Sequence, residues 1–246
     1  MPSSERGFED VAESWLRWAR TPEHDAYWDY RDRFFEEIVP PPGRKTLEIG
    51  CGEGRTSRDL RARGHDLVAT DASPTLIEHA RQADPQGRYR VADATRLPFA
   101  DGEFDLVVGY MMLMDVEDMP AAVREAARVL EPGGRFAIGV THPIADAGAF
   151  ESREDEARFV IEGSYLAPRR VEVPIARDGL AFTFTGRAYP LEAYARAFES
   201  AGFVIERLRE PPRPDRAHER TAGAGRWRRI PNFLYMGCVK KNRPAT

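Results

Sequence analysis

The sequence predicts an α/β fold: a doubly wound, mostly parallel sheet of seven strands, with the last strand antiparallel. Three observations carry that expectation. From Lys45 onward, short apolar runs alternate with amphipathic helical runs, as a parallel sheet with crossover helices requires. The first apolar run, Thr46-Leu47-Glu48-Ile49, opens into Gly50-Cys51-Gly52-Glu53-Gly54-Arg55, which reads as a buried strand, a tight loop and a helix start. Carboxylates then stand at or next to three successive strand ends, as Glu48, Asp71 and Asp93.

The totals limit what such a chain does. Its 246 residues suffice for one large α/β domain, or for one domain with an insertion. A net charge of −4 argues against nucleic acid as the main partner. No apolar run approaches the ~20 residues of a membrane span. Met1 to Arg6 has no signal-peptide core, so a cytoplasmic protein is expected. The two cysteines, Cys51 and Cys238, suit a reducing compartment. The five histidines and two cysteines show no ligand spacing, and no metal is expected.

In chain order, residues 1–42 read as an N-terminal helical cap and 43–246 as the main domain. Val11, Trp15 and Trp18 share one helical face, and Thr21-Pro22 reads as a cap with proline in the next first turn. The second helix carries Tyr27, Trp28, Phe34, Phe35 and Ile38 and stops at Pro40-Pro41-Pro42. These aromatics either pack on the main domain or close a ligand cleft as a lid. After the glycine loop a helix is predicted over about Arg55 to Arg63, then a strand over His65 to Thr70 that ends in Asp71. Ser73 caps a helix begun by Pro74. Strands follow over about Arg88 to Ala92 and Phe104 to Gly109. A helix near Pro120 to Leu130 is stopped by Pro132-Gly133-Gly134, and a fifth strand covers Arg135 to Thr141.

The alternation breaks after His142. Residues 143–189 have strand texture: Val171, Val173 and Ile175 alternate with polar positions, as do Phe182 and Phe184. Asp178-Gly179 between them is a hairpin turn signal. A helix from Pro190 to Ala201, a strand over Phe203 to Arg207 and a last strand over Asn232 to Lys240 complete the chain. An irregular stretch rich in Arg, Pro and Gly fills about 210–230.

Ligands of an open parallel sheet bind beyond the carboxyl ends of its strands, where strand order reverses. Glycines in the first loop allow positive φ and close approach of a ligand to the main chain. The spacing is G-x-G-x-G, with Arg55 where a dinucleotide fingerprint continues toward its third glycine. Glu48 at the mouth of that loop repels a pyrophosphate and suits a ligand with an ammonium group and a cationic centre. Asp71 is placed to accept hydrogen bonds from both hydroxyls of a ribose, and Asp93 to accept from an exocyclic amine such as that of adenine.

With those residues in view, the sequence resembles the class I S-adenosylmethionine-dependent methyltransferases of the small-molecule type. The matching segments are Leu47 to Gly54, Asp71-Ala72-Ser73, Asp93 to Phe99, Phe104 to Val108 and Val129 to Arg135, in family order over about residues 44 to 141. The resemblance implies a Rossmann-like sheet, S-adenosylmethionine as cofactor and S-adenosylhomocysteine as product. It implies that Glu48, Gly50, Cys51, Gly52 and Gly54 hold the methionine end and that Asp71, with Ala72, binds the ribose. Asp93 and the backbone at Ala94 then read adenine, and Tyr110 and Met111 lie against the cofactor. Many relatives have aromatic or His residues after the fourth strand, where this chain has Met112-Leu113-Met114-Asp115, a loop that supports shape selection and says little about catalysis.

The function expected is methyl transfer to O or N of a small metabolite by in-line displacement. His142, just after the fifth strand, is the candidate general base; the alternative is a residue positioning the His142-Pro143 turn. Tyr27, Tyr165 and Tyr189 are candidates for substrate contact. The 143–189 insertion either roofs the substrate pocket or forms a dimer surface, so monomer and homodimer both stay open. Arg213, Arg216, Arg220, Arg226, Arg228 and Arg229 either attract an anionic substrate or belong to a solvated loop, with Asp215 and Glu219 beside them. A catalytically silent cofactor-binding module is the alternative function. The missing third glycine, Glu48 and Asp93 oppose a nicotinamide-dependent oxidoreductase, and no basic face speaks for RNA or protein methylation.

Overall fold

The computed structural model describes residues 7–22, 24–213 and 224–242. A short 3-10 turn, Gly7–Val11, leads into α1 (Ala12–Arg20), and α2 is Tyr27–Glu37. Strand and helix then alternate as β1 (Thr46–Ile49), α3 (Arg55–Ala62), β2 (Leu67–Asp71), α4 (Pro74–Ala83) and β3 (Tyr89–Val91). They continue as β4 (Phe104–Tyr110), α5 (Met119–Val129) and β5 (Leu130–Thr141). The insertion holds β6 (Gly148–Phe150), β7 (Phe159–Ile161), β8 (Arg169–Arg177) and β9 (Leu180–Ala188), before α6 (Leu191–Ser200), β10 (Phe203–Arg209) and β11 (Phe233–Lys240).

The main sheet has seven strands in the order β10-β11-β5-β4-β1-β2-β3. Its core is parallel, and β11 runs antiparallel to both β5 and β10, as the sequence predicts. Strand β1 pairs with β2 on one side and β4 on the other, which is the point where strand order reverses. The glycine loop leaves β1 at that crevice. Side chains alternate across the sheet with the period-2 rule. On β4, Leu106, Val108 and Tyr110 pack with Phe34 and Phe35 of α2 and Leu60 of α3. Val107 points the other way, into a cluster with Val123 and Ala126 of α5 and Phe198 of α6. Both faces are therefore covered.

Local signals behave as their chemistry dictates at two turns. The Ser73 side chain accepts the Leu76 N–H at 3.1 Å and Pro74 opens α4. Asp178 and Gly179 take φ of 51° and 78°, the left-handed pair of a tight hairpin turn, and β8 pairs with β9 through Arg177 and Leu180.

Two expectations are corrected. Thr21-Pro22 opens no helix: Thr21 closes α1, its N–H on the Arg17 and Trp18 carbonyls and its hydroxyl on Arg17 O at 2.6 Å. The next helix starts at Tyr27, whose N–H is held by Asp25 Oδ1 at 2.7 Å. Pro132-Gly133-Gly134 does not separate helix from strand, because β5 already begins at Leu130, paired with Phe104, and absorbs those residues as an irregularity in register. The strand-textured insertion makes two separate two-stranded ribbons, β6–β7 and β8–β9.

The β8–β9 ribbon is covered from within the chain. Phe184 packs on Phe8 and Phe182 on Trp18, with ring centroids 6.3 and 6.2 Å apart, and Asp178 holds His24 Nε2 at 2.8 Å. Cap and ribbon thus supply each other's apolar partner.

Removing the N-cap of α4 tests the local reading. Ser73→Ala is expected to lower stability by about 1 kcal/mol, read as a reduced urea midpoint with an unchanged slope.

Candidate functional site

The loop between β1 and α3 is built on three glycines with positive φ: Gly50 at 68°, Gly52 at 55° and Gly54 at 83°. Space as well as angle demands glycine at two of them. A Cβ at Gly50 would stand 2.5 Å from Met112 Cβ, and one at Gly52 would stand 2.8 Å from the Trp15 ring. The loop is thus pressed between the segment after β4 and the first helix. Cys51 is buried within it, its N–H on Thr70 O at 2.9 Å. Burial, and then the charges of Asp71 and Glu48, push the Cys51 thiol well up.

Beneath the loop two carboxylates are set into the sheet. Glu48 is 1% exposed and accepts a short hydrogen bond from Ser57 Oγ in the first turn of α3. Burial raises its carboxyl to about 8; the Ser57 bond works against that shift and Asp71 adds to it. Asp71 accepts the Gly52 N–H on Oδ2 at 2.8 Å and the Ser73 N–H on Oδ1 at 2.9 Å. Burial still raises its pKa, because those amide bonds only partly compensate. Ala72, beside it, is exposed.

Asp93 is exposed and closes its own turn, accepting the Thr95 N–H and hydroxyl, each at 2.8 Å. Ala94 is buried next to it. At the end of β4, Met111 has φ of 56°, a strained angle for a methionine, with its N–H on Gly139 O at 2.7 Å. The Tyr110 ring is a correction: it packs among Tyr27, Phe34 and Tyr235, with its hydroxyl 3.3 Å from that of Tyr235. Only the main chain of Tyr110 remains for a ligand.

The N-terminal helix clamps this site. Glu53 in the loop receives Arg20 at 3.1 Å and Arg58 at 2.9 Å. Arg55 is held by Asp25 at 2.8 Å and lies over the rings of Trp15 and Tyr27. Glu9 accepts from the hydroxyls of Ser73 and Thr75 at the start of α4. Burial opposes its charge, but those bonds prevail and hold its pKa below the usual value.

His142 lies just after β5. Its Nδ1 accepts the Ile144 N–H at 3.1 Å, which leaves Nε2 to donate to Glu210 Oε1 at 2.8 Å. Burial lowers its pKa, with Glu210 pulling the other way. Both nitrogens are engaged in the turn after β5 in this structure. Tyr27 is a core residue, 1% exposed, with its hydroxyl on Asp59 at 2.5 Å. Tyr165 accepts the Leu191 N–H at 3.1 Å and so caps α6. Tyr189 is buried against Tyr194, their centroids 5.6 Å apart. Of the arginine-rich stretch, Asp215, Arg216, Glu219 and Arg220 lie outside the described residues. Arg226 and Arg229 donate to main-chain carbonyls of Arg153 and Asp155, each at 3.2 Å, and lie over Phe150, so they fasten the insertion.

Sequence reasoning missed Ser57, the hydrogen-bond donor of the buried Glu48. Asp115 follows the strained Met111 in the β4–α5 loop, Asp146 follows β5, and Tyr194 comes from α6. Water reaches Asp115, yet protein crowds it. The protein packed around it, then the charges of Asp71 and Asp146, push its carboxyl above the usual range. Asp146 rises to about 6 through burial, less the effects of Thr141 and Arg169. Two surface hollows lie elsewhere. One of about 320 Å³ is bounded by Phe150, Arg153 and Trp227, and one of about 500 Å³ by Arg17, His24 and Asp178.

A family profile described as a methyltransferase domain matches residues 47–138. A demethylmenaquinone methyltransferase of Mycobacterium sp. (strain JLS) is 34% identical over 175 residues, covering 68% of this chain and 71% of that protein. The demethylmenaquinone methyltransferase of Beutenbergia cavernae is 38% identical over 114 residues, 46% of this chain and 47% of its own length. In that protein and others matched over a similar stretch, the chain spans about half of the relative's length or less. The crystal structure of an S-adenosylmethionine-dependent methyltransferase from Mesorhizobium loti gives a TM-score of 0.70 at 24% identity, over 88% of this chain and 98% of that one, a likeness of fold.

The buried Glu48 makes stability depend on pH. Unfolded, a glutamate titrates near 4.3; folded, this one titrates at about 8. Between those values the folded chain keeps a proton the unfolded chain has lost, so Glu48 lowers stability as pH rises through that window. Glu48→Gln, which fixes the neutral form, is expected to raise the Tm of the unliganded protein near pH 8 and to change it little near pH 4. A Tm difference that stays constant across that range in thermal unfolding would refute the assignment.

Proposed function

We propose that this chain, which belongs to the S-adenosylmethionine-dependent methyltransferase family, is an enzyme that moves a methyl group from that cofactor to oxygen or nitrogen of a small molecule. The observation that carries the reading is Asp71, fixed by the Gly52 and Ser73 amides at the point of the sheet where strand order reverses.

The residues present fit the cofactor. Each Asp71 oxygen holds one N–H and keeps a second lone pair for a ribose hydroxyl. Asp71 accepts two amides beside the loop, and Glu48, protonated below about pH 8 in the unliganded protein, ionises against an ammonium or a sulfonium that binds there. Gly50, Cys51, Gly52 and Gly54 offer main chain to the methionine end, and Ala72 adjoins the ribose. Asp93, Ala94 and the main chain of Tyr110 and Met111 complete the proposed lining. When bound, the cofactor supplies a methyl group already activated on sulfur. What the protein adds is alignment and exclusion of water, and orientation alone supplies about 7–11 kcal/mol of such a barrier.

Residues 1–42 act in this reading as a cap over the cofactor, and the 143–189 insertion as the roof of the acceptor side within the 43–246 domain. The ribbon's contacts with Phe8, Trp18 and His24 favour the roof over a dimer surface. Among the described residues no helix is long and apolar enough to cross a membrane. The free, buried Cys51 and Cys238 support a reducing, cytoplasmic setting.

Calorimetric titration with S-adenosylhomocysteine tests the cofactor, with NADH as control. Binding of the first at micromolar Kd and none of the second is expected, and Asp71→Ala should weaken binding at least ~10-fold. Preference for NADH would overturn the reading. His142→Asn separates positioning from base catalysis. A loss of kcat under ~10-fold is expected, against the ~10²–10⁴-fold that loss of a general base produces.

A further inference from the structure

We propose that the hollow of about 500 Å³ between the cap and the tip of the β8–β9 ribbon is a second ligand site. It takes a small hydroxy acid, with the carboxylate on Arg17 and the hydroxyl on His24 Nδ1. The proposal goes beyond methyl transfer and stands whichever cofactor the glycine loop holds.

The two walls come from distant parts of the chain. Leu16, Arg17 and Arg20 of α1, with Thr21 and His24 of the turn after it, form one wall. Asp178, Gly179 and Leu180 at the hairpin form the other. The hydrogen bond between His24 Nε2 and Asp178 Oδ2 joins them at 2.8 Å. Gly179 keeps the space open, since a Cβ there would meet nothing within 4 Å. The volume falls within the ~300–1,000 Å³ of small-molecule sites.

His24 is the observation that points to a ligand. Its side chain is only 2% exposed, and the Trp18 ring lies against it with centroids 4.7 Å apart. The bond to His24 holds the Asp178 carboxyl below its usual pKa. An ionised carboxylate only accepts, so Nε2 carries the proton and Nδ1 of the neutral ring presents a lone pair. Among the described residues nothing donates to that buried nitrogen. Leaving a buried polar atom so costs about 1–3 kcal/mol, and such atoms are uncommon. A donor on a bound molecule resolves the state.

The other polar groups define the rest of the ligand. Thr21 spends its hydroxyl proton on Arg17 O at 2.6 Å, and Arg20 donates to Glu53 at 3.1 Å. Arg17 differs: among the described residues no hydrogen bond or ion pair reaches its guanidinium. That planar fork suits a carboxylate. Two arginines on the same wall disfavour an ammonium, so the donor to His24 is a neutral hydroxyl. The buried Leu16 and Leu180 offer apolar surface to the body of the molecule. The hollow exists only while cap and ribbon are joined, so an occupant stabilises that arrangement.

The test titrates the full chain calorimetrically with 4-hydroxybenzoate, 4-hydroxyphenylacetate and 3-(4-hydroxyphenyl)propanoate, which set the two groups at increasing separation. Each is paired with its analogue lacking the ring hydroxyl and with its primary alcohol. At least one hydroxy acid is expected to bind ~5-fold or more tightly than the first partner and ~10-fold or more tightly than the second. His24→Gln keeps an amide donor for Asp178 and removes Nδ1, so it should erase the hydroxyl preference and spare the carboxylate preference. Arg17→Gln, at an exposed side chain, should do the reverse. The hydroxy acid should still bind when S-adenosylhomocysteine is saturating. Binding by none of the three acids overturns the proposal, as do preferences that survive both substitutions or displacement by S-adenosylhomocysteine. A protein that does not bind S-adenosylhomocysteine would strike the methyltransferase reading and leave the other arms of this test intact.

Discussion

One carboxylate joins two βα turns. Asp71, at the end of β2, accepts an amide proton from the glycine loop after β1 and another from the start of α4. The loop in turn runs through three residues in the left-handed region, an arrangement with little intrinsic preference for one shape. Fixing Gly52 N–H to a side chain on the neighbouring strand selects one. Everything set against the loop inherits that choice: Trp15 over Gly52, Arg20 on Glu53, Asp25 on Arg55.

The same region concentrates negative charge where burial opposes it. Glu48 lies under the loop with Ser57 as its hydrogen-bond donor, and its raised pKa measures how poorly that one bond replaces water. A core built for stability alone would hold a leucine or methionine there. Retaining a glutamate trades folding free energy for a carboxyl able to ionise against a bound cation, the kind of compromise found at functional sites.

Much of the fold was legible because its signals are local. Strand periodicity, Ser73-Pro74, Asp178-Gly179 and the glycine spacing each act over a few residues, and each appears where its chemistry requires. The cofactor side shares that property, since Glu48, Gly50 to Gly54 and Asp71 belong to two adjacent turns. The acceptor side does not. It draws on the loop after β4, the turn after β5 and the 143–189 insertion, and no short motif predicts how these meet. The turn at His142 is local, whereas Glu210, which takes its other nitrogen, lies 68 residues away and no sequence signal announces that contact. The Tyr110 ring was a missed inference: it shares strand parity with Leu106 and Val108, which already assigned it to the face under α2.

The cap and the β8–β9 ribbon are far apart in sequence, with His24 and Asp178 separated by 154 residues. During synthesis the first helix therefore emerges long before the ribbon that covers Phe8 and Trp18. Closing so long a loop is slow compared with pairing neighbouring strands. The central strands and their crossover helices can assemble first, and the contact between cap and ribbon forms among the last events of folding. In the proposed reading, order of assembly matches order of use, since the part completed last is the part that opens to admit a ligand.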